Sequence, residues 1–411
     1  MQHSIPMTQI RSILVFFGAL GLNACTVGQS DRASTAGGTI ATVFQSSDAR
    51  KGGSDGTFGI GVGAMSGKPG FEGITRGVQL AVDRLNADAA GSLRFTVVTP
   101  VAATSVIQIA QRLRDDPTVI AVVGHPESGS TLEAIPVYED QDHGGGNAVV
   151  AISPTASSPS LSGRSPWFFR VAPSDNETAR LVARYVTDSL GAKSVAIVYR
   201  NDTYGRDWSA RFAETYASKN RTVLARIPYL AGITEWKAYA LQLKKLAPQV
   251  LLFPGDADDA VAMLRELKAN DVHLTFIGGD GTEGLARTHE FPQARYTAFF
   301  LADRATSAEG KRFVDNYRTR FNEPPDMFSA LSYDAALAIG RTVIAGARTR
   351  PTLRNNLERI TGASAIDGAG GTIAFNAKHD ITGRTIVIAT VGTGGAPTST
   401  KTSATVSGGP K

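Results

Sequence analysis

The sequence predicts an α/β protein of two doubly wound parallel-sheet lobes joined by a multi-strand hinge. Three observations carry that expectation. Short apolar segments alternate with amphipathic helical ones in two successive series. Segments such as Val119-Ile120-Ala121-Val122-Val123 are apolar throughout, as strands are when helices cover both sheet faces. A chain of 411 residues, 42% of them hydrophobic and 19% charged, is long enough to enclose two cores.

In the first series, residues 58–62 read as a strand, and the next helix buries Ile74, Val78, Ala81 and Leu85 at helical spacing. Strand 93–98, helix 104–114, strand 119–123, helix 130–139 and strand 148–152 follow. The second series starts after Pro173 with helix 176–189, strand 195–199, helix 206–218 and strand 222–226. Helix 235–245, strand 250–253, helix 257–268 and strand 275–277 complete it. Repeated βα units give open parallel sheets with right-handed crossovers. Strand 296–301 and helices 309–321 and 329–345 come late, so the helices are expected to return to the first lobe. A final β pair, 371–375 with 385–391, closes the fold, and the repeated crossings form the hinge.

The ends read differently. Arg11 precedes a ten-residue apolar run, 13–22, followed by Asn23, Ala24 and Cys25, the only cysteine. A basic start, a short apolar stretch and a small residue before the cut describe a secretory signal, too short for a stable bilayer span. The Leu22-Asn23-Ala24-Cys25 ending resembles the lipobox of bacterial lipoproteins, which implies lipidation at Cys25. Acyl chains there anchor firmly, since each buried methylene adds about 0.8 kcal/mol. A lone cysteine also excludes an intramolecular disulfide. The expected division is a signal peptide with lipobox at 1–25 and a flexible tether at 26–56. Lobe 1 then takes 57–173 with 301–372, lobe 2 takes 174–300 with 373–391, and 392–411 is a disordered tail.

Open α/β sheets bind ligands at the carboxyl ends of their strands, where helix N-termini offer free N–H groups. Two hydroxyl-rich loops sit at such ends: Gly124-His125-Pro126-Glu127-Ser128-Gly129-Ser130-Thr131 and Ser153-Pro154-Thr155-Ala156-Ser157-Ser158-Pro159. They can hold a carboxylate or merely cap helices, and their chemistry alone does not choose. In the second series, Gly278-Gly279-Asp280-Gly281 places an acid at a strand end, to meet an ammonium group or to cap a helix. Tyr204 stands just past another strand end, where an aromatic ring can cover a ligand.

These residues carry a resemblance. Val62-Gly63-Ala64-Met65-Ser66-Gly67, Val123-Gly124-His125, Tyr138-Glu139-Asp140, Ile152-Ser153-Pro154, Tyr204-Gly205 and Gly278-Gly279-Asp280-Gly281 occur in the order and spacing of one family. The region 57–391 is similar to the leucine/isoleucine/valine-binding proteins, type I periplasmic binding proteins of branched-chain amino-acid ABC transporters. The resemblance implies that Ser128 grips a ligand carboxylate and that Thr155, Ala156 and Ser157 bind the carboxylate and ammonium. It further implies that Tyr204 covers the ligand from the second lobe and that Asp280, one methylene shorter than the usual glutamate, pairs with the ammonium. Phe71 would match the family's aromatic lid, although the loop after Ser66-Gly67 is shorter than usual. Asp256 and Asp258 stand where tyrosines are common, and an acid beside a side-chain pocket disfavours a purely aliphatic ligand. The family's first-lobe disulfide cannot form.

The implied cycle is hinge closure around an amino-acid-like ligand and delivery to an ABC permease, by an exported, lipid-anchored monomer. No enzyme activity, cofactor or metal is expected. Gly61, Gly63 and Gly67 miss the dinucleotide fingerprint, and the strand at 93–98 ends in Thr99 rather than an acid. Gly52-Gly53-Ser54-Asp55-Gly56 lies in the tether, not at a nucleophile elbow, and the six histidines lack metal-ligand spacing. Scattered basic residues and a net charge of +5 argue against nucleic acid. The alternative is a sensor of the same fold that binds an amide, a urea-like compound or an aromatic acid and signals to a receptor.

Overall fold

The computed structural model describes residues 56–67, 70–288, 290–392 and 397–405. The signal segment, Cys25 and the tether up to residue 55 lie outside the described residues. The described residues begin with β1 (Thr57–Gly63), α1 (Phe71–Ala89), β2 (Arg94–Val98), α2 (Val106–Asp115), β3 (Val119–Gly124), α3 (Ser128–Tyr138), β4 (Val150–Ser153) and β5 (Phe168–Arg170). It continues with α4 (Asp175–Arg184), β6 (Val195–Arg200), α5 (Thr203–Ala217), β7 (Val223–Tyr229), α6 (Lys237–Leu246), β8 (Val250–Phe253) and α7 (Ala257–Ala269). Then come β9 (Thr275–Gly278), α8 (Leu285–Thr288), β10 (Arg295–Ala298), α9 (Ala308–Phe321), α10 (Met327–Ile344) and α11 (Arg350–Leu357). Four strands end the described residues: β11 (Ile366–Gly368), β12 (Gly371–Ile373), β13 (Thr385–Val391) and β14 (Pro397–Thr405).

The strands form two main sheets, as the βα alternation requires. The first runs β2-β1-β3-β4-β5 and is parallel throughout. The second runs β14-β13-β10-β9-β8-β6-β7, parallel from β10 to β7, with β13 and β14 added antiparallel. Alternate side chains enter different cores. Along β4, Val150 and Ile152 join one core while Ala151 joins another. Along β8, Val250 and Leu252 join that first core, which runs on from sheet to sheet, while Leu251 and Phe253 join a third. Both faces of each sheet are therefore covered, which is why these strands read as apolar throughout.

Helix starts follow local chemistry. Ser105, Ser174, Asp202 and Ser307 accept a backbone N–H at the first turns of α2, α4, α5 and α9, and Asp326 forms a capping box on α10. The late helices return to the first sheet: α10 packs along α1 and onto β3 and β4, and α11 packs on β3 and β4. With β13 back in the second sheet, the chain crosses between the sheets three times among the described residues.

The α1–α10 contact is close because Gly77 faces the backbone of Ser329; a methyl at Gly77 would overlap the Ser329 carbonyl. Alanine gains about 1 kcal/mol of helix propensity over glycine, but a backbone neighbour cannot rotate away. Gly77→Ala is expected to cost a net of about 1–3 kcal/mol, read as a lower denaturant midpoint; an unchanged or raised midpoint would contradict the close packing.

Two expectations are corrected here. Residues 371–375 do not pair with 385–391: β12 pairs with β11, and β13 lies between β10 and β14. Part of the expected disordered tail is a strand, since β14 pairs antiparallel with β13. Its Ser and Thr residues are rich in turn and linker composition, yet threonine also suits a pleated strand once an edge is available.

Candidate functional site

The loops after β3 and β4 are laced into one frame. The Ser153 hydroxyl donates to the His125 carbonyl (2.6 Å) and accepts from the Ala156 N–H (3.0 Å). The Thr155 hydroxyl donates to the Pro126 carbonyl (2.8 Å), and Thr131 donates to the His125 carbonyl (2.9 Å). The His125 ring lies 2.9 Å from the Tyr138 hydroxyl, and burial pushes its pKa down to about 3, so it stays neutral. Ser128 opens α3, and its hydroxyl accepts the Ser158 N–H (3.2 Å). Ser128, Thr155, Ala156 and Ser157 are all buried. Ser157 differs from its neighbours, because its Oγ makes no hydrogen bond within the protein.

Facing groups come from the second sheet. Asp202 caps α5 and sets Tyr204 in its first turn, from which the phenol donates to Asp280 (3.0 Å). Asp280 follows β9 and is 5% exposed. A methyl at Gly279 would overlap the Tyr204 hydroxyl, so a glycine there lets the two meet. Burial raises the Asp280 carboxyl from 3.8 to about 6, against the opposing pull of the Tyr204 hydrogen bond. The phenol of Tyr204 is itself raised well above its usual value, by burial first and then by Asp280. The two loop systems touch beside this pair, where Ser158 Oγ hydrogen-bonds Asp207 of α5.

Between them stands Asp175, the first residue of α4, where the chain leaves the first sheet for the second. It is fully buried, and neither carboxylate oxygen is hydrogen-bonded. Its N–H donates to the Ser157 carbonyl (2.8 Å). The Ser157 hydroxyl is near enough to favour the ionised acid, yet the two fall short of hydrogen-bond geometry. Burial first, and then the Asp280 charge, hold the Asp175 carboxyl well above its ordinary value. The cation whose charge opposes that rise is Arg170, fully buried at the end of β5. Its guanidinium is already engaged by Asp380 (2.7 Å), the Ser158 carbonyl (2.8 Å) and the Ser162 hydroxyl (2.6 Å).

These shifts fix a pH dependence for the unliganded protein. A carboxyl raised on folding holds its proton more tightly in the native state than in the unfolded chain. The stability it contributes is complete below the unfolded pKa near 3.8 and is lost as pH rises through the folded value, about 6 for Asp280. Asp175 shifts in the same direction, and Glu283, raised to about 8 by burial and then by Asp326, extends the fall upward. The melting temperature without ligand is expected to drop from about pH 5 to about pH 8 at constant ionic strength. A flat calorimetric profile over that range would contradict the burial of these acids.

The structure thus brings Ser157, Asp175, Asp280 and Tyr204 into one polar cluster, with Ser128, Thr155 and Ala156 in the wall behind. Asp256 stands apart from it: its side chain is 54% exposed and paired with Arg200, which also holds Asp202 (2.9 Å). It still borders the Asp280 loop, since a Cβ on Gly281 would lie 3.8 Å from its Oδ1. Phe71 opens α1, and its side chain is outside the described residues. Asp175, Arg170 and Asp207 belong to this region without any sequence signal that marks them. Ser174-Asp175-Asn176 reads as an ordinary helix start, and no local pattern marks the acid as buried.

A family model described as periplasmic binding protein matches residues 61–396. An amino acid binding protein of Pseudomonas aeruginosa is 27% identical over 263 residues, which cover 61% of this chain and 67% of that protein. The branched-chain amino acid transporter substrate binding protein LivJ of Streptococcus pneumoniae, solved with isoleucine, superposes with a TM-score of 0.74. It is 24% identical, and the match covers 85% of this chain and 99% of LivJ. A solute binding protein of an ABC transporter from R. palustris, solved with benzoate, gives a TM-score of 0.72 at 16% identity, over 84% and 95% of the two chains.

Proposed function

Because the chain belongs to the periplasmic binding protein family, with its extracytoplasmic solute-binding members, we propose that it captures an amino acid between its two lobes and delivers it to an ABC permease. In this reading it is a non-enzymatic, exported monomer, held to the membrane through Cys25. The observation that carries the reading is the pair of opposed polar groups described above. On one side stands the hydroxyl and N–H frame of Ser128, Thr155, Ala156 and Ser157; on the other, Asp280 held by Tyr204.

An α-amino acid has a charge for each side. Its carboxylate meets the frame, where the unpartnered Ser157 hydroxyl supplies a donor, and its ammonium meets Asp280. Opposite charges on one small molecule then tie the lobes together, which shifts the population towards the closed form. The Ser158–Asp207 bond closes in the same movement, on the rim of the site. Tyr204 both covers the ligand and steadies the Asp280 carboxylate. Asp256, exposed and paired with Arg200, puts polar groups near the ligand's side chain and favours one that tolerates them.

The test is a thermal-shift survey of the full chain with the common L-amino acids and small carboxylic acids. A true ligand at a hundredfold excess over its Kd stabilises by about 2.7 kcal/mol. A survey in which no amino acid raises the melting temperature would remove this reading.

A further inference from the structure

Resting on that reading, we propose that Glu283 is a positioning residue for ligand capture. Its carboxyl seats the turn that carries Asp280 on the N-terminus of α10, and so latches one lobe to the other.

The geometry of this contact leads to the assignment. Glu283 lies between β9 and α8 on the second sheet's side, whereas α10 packs along α1 and onto β3 and β4 of the first. Asp326 caps α10 by accepting the Ser329 N–H (2.8 Å). That leaves the buried N–H of Met327, the first helical residue, in need of another acceptor. Glu283 supplies it from the opposite lobe, through both carboxylate oxygens (3.1 and 3.2 Å). Arg287 of α8 crosses the same gap to Asp326. Asp280 and Glu283 move as one piece, because the turn that joins them is tightly bonded. The Thr282 hydroxyl donates to the Gly279 carbonyl (2.7 Å), the Glu283 N–H to the Asp280 carbonyl (3.2 Å), and the Gly279 N–H to Phe253 of β8 (3.1 Å). Seating Glu283 therefore fixes where Asp280 stands relative to the first lobe.

The seat also responds to protonation. Glu283 is half-buried and faces Asp326 from α10, Arg287 from α8, Tyr296 from β10 and Asp280 from its own turn, with Glu323 beyond Arg287. Arg287 is engaged by Asp326, and Arg76 of α1 by Glu72 and Glu323. A carboxyl enclosed beside a second acid keeps its proton, whereas parted lobes expose it to water and let it ionise. Closure near neutral pH thus draws one proton from solvent onto the Glu283 carboxylate, whose carbonyl oxygen still accepts the Met327 N–H. The sign follows: the contribution to closure is complete below the exposed value near 4.5 and is lost as pH rises towards about 8.

The experiment is isothermal titration of the full chain with the common L-amino acids in turn, the tightest binder of wild type being carried through. Wild type, Glu283→Gln and Glu283→Ala are compared from about pH 6 to about pH 8, in paired buffers of different ionisation enthalpy, so that protons are counted. The amide keeps an acceptor for Met327 and cannot titrate, while the acids around the ligand remain in all three proteins. Near neutral pH, wild type should take up about one proton more than either variant. Glu283→Gln should bind at least as tightly as wild type at the acid end and gain about tenfold on it by the alkaline end. Glu283→Ala should bind about tenfold more weakly than Glu283→Gln throughout, because closure then leaves the Met327 N–H without an acceptor. A merely structural role would lower the melting temperature of Glu283→Ala and leave the proton count of Glu283→Gln at the wild-type value. Equal proton counts in wild type and Glu283→Gln would overturn the latch and leave the broader reading standing, and this comparison decides even if Glu283→Ala does not fold. Binding by Glu283→Ala within about twofold of Glu283→Gln would overturn it as well. Failure of every amino acid to bind wild type would overturn the reading on which the latch rests.

Discussion

Asp280→Ala is expected to abolish the thermal response to amino acids while the unliganded fold survives. Truncating one partner of a buried, hydrogen-bonded charge pair costs about 2–5 kcal/mol of binding, roughly thirtyfold to several thousandfold in affinity. The unliganded protein feels two opposed effects. It loses the acceptor for the Tyr204 phenol, which costs about 1–3 kcal/mol if that buried group finds no other partner. It also sheds a carboxyl that burial holds up at about 6, a group that weakens the fold at neutral pH. The two nearly offset, so the melting temperature without ligand should move little. Asp280→Asn, which keeps an acceptor for Tyr204, should retain or raise it and still lose the ammonium partner. An unaltered thermal response in Asp280→Ala would remove this acid from the site.

That Asp280 could be named from the chain alone follows from where the fold puts strand ends. The βα alternation is written in local periodicity, so β3, β4, β6 and β9 and the loops after them were legible. A polar residue in such a loop either joins the central polar cluster, as Asp280 and Tyr204 do, or turns into the supporting frame, as Thr155 does. The last strands were not legible, because their partners are distant in the chain. Ala369 and Gly370 turn β11 into β12 by donating their N–H groups to the Asp334 carboxylate, itself paired with Arg384 at 2.8 Å. No pattern between residues 366 and 391 announces that long-range anchor. Asp175 was hidden for the opposite reason. Its local signal, a capped helix start after Ser174, is complete in itself, and its burial comes from elements distant in the chain that no local pattern announces. Ser128 shows the remaining ambiguity: its hydroxyl accepts the Ser158 N–H, so it helps to build the frame whether or not it also touches a ligand.

Arg170→Ala should produce the largest loss of stability of any change near the site. The side chain is fully buried and acts at three places: it pairs with Asp380, binds the Ser158 carbonyl, and donates to Ser162. Removing one member of a buried pair costs about 3–5 kcal/mol, since the other is left without its counter-charge. Asp380 keeps 14% of its side chain exposed and can recruit some water, which places the expected cost towards the lower end. Binding should suffer separately. Asp380 lies on the last crossing between the sheets, so Arg170 fastens the 156–162 loop to the hinge and fixes where Ser157 points. It also lowers the pKa of Asp175, so its removal drives that acid further towards the neutral form and away from a cation. Arg170→Lys separates these effects. An ammonium keeps the charge near Asp380 and Asp175 but cannot reproduce the planar fork that reaches loop and hinge together. The lysine variant should therefore recover part of the stability measured by denaturant midpoint and little of the affinity measured by titration. If Arg170→Ala instead stays within about 1 kcal/mol of wild type with unchanged affinity, the loop is held by its own hydroxyl lacing and the arginine is dispensable.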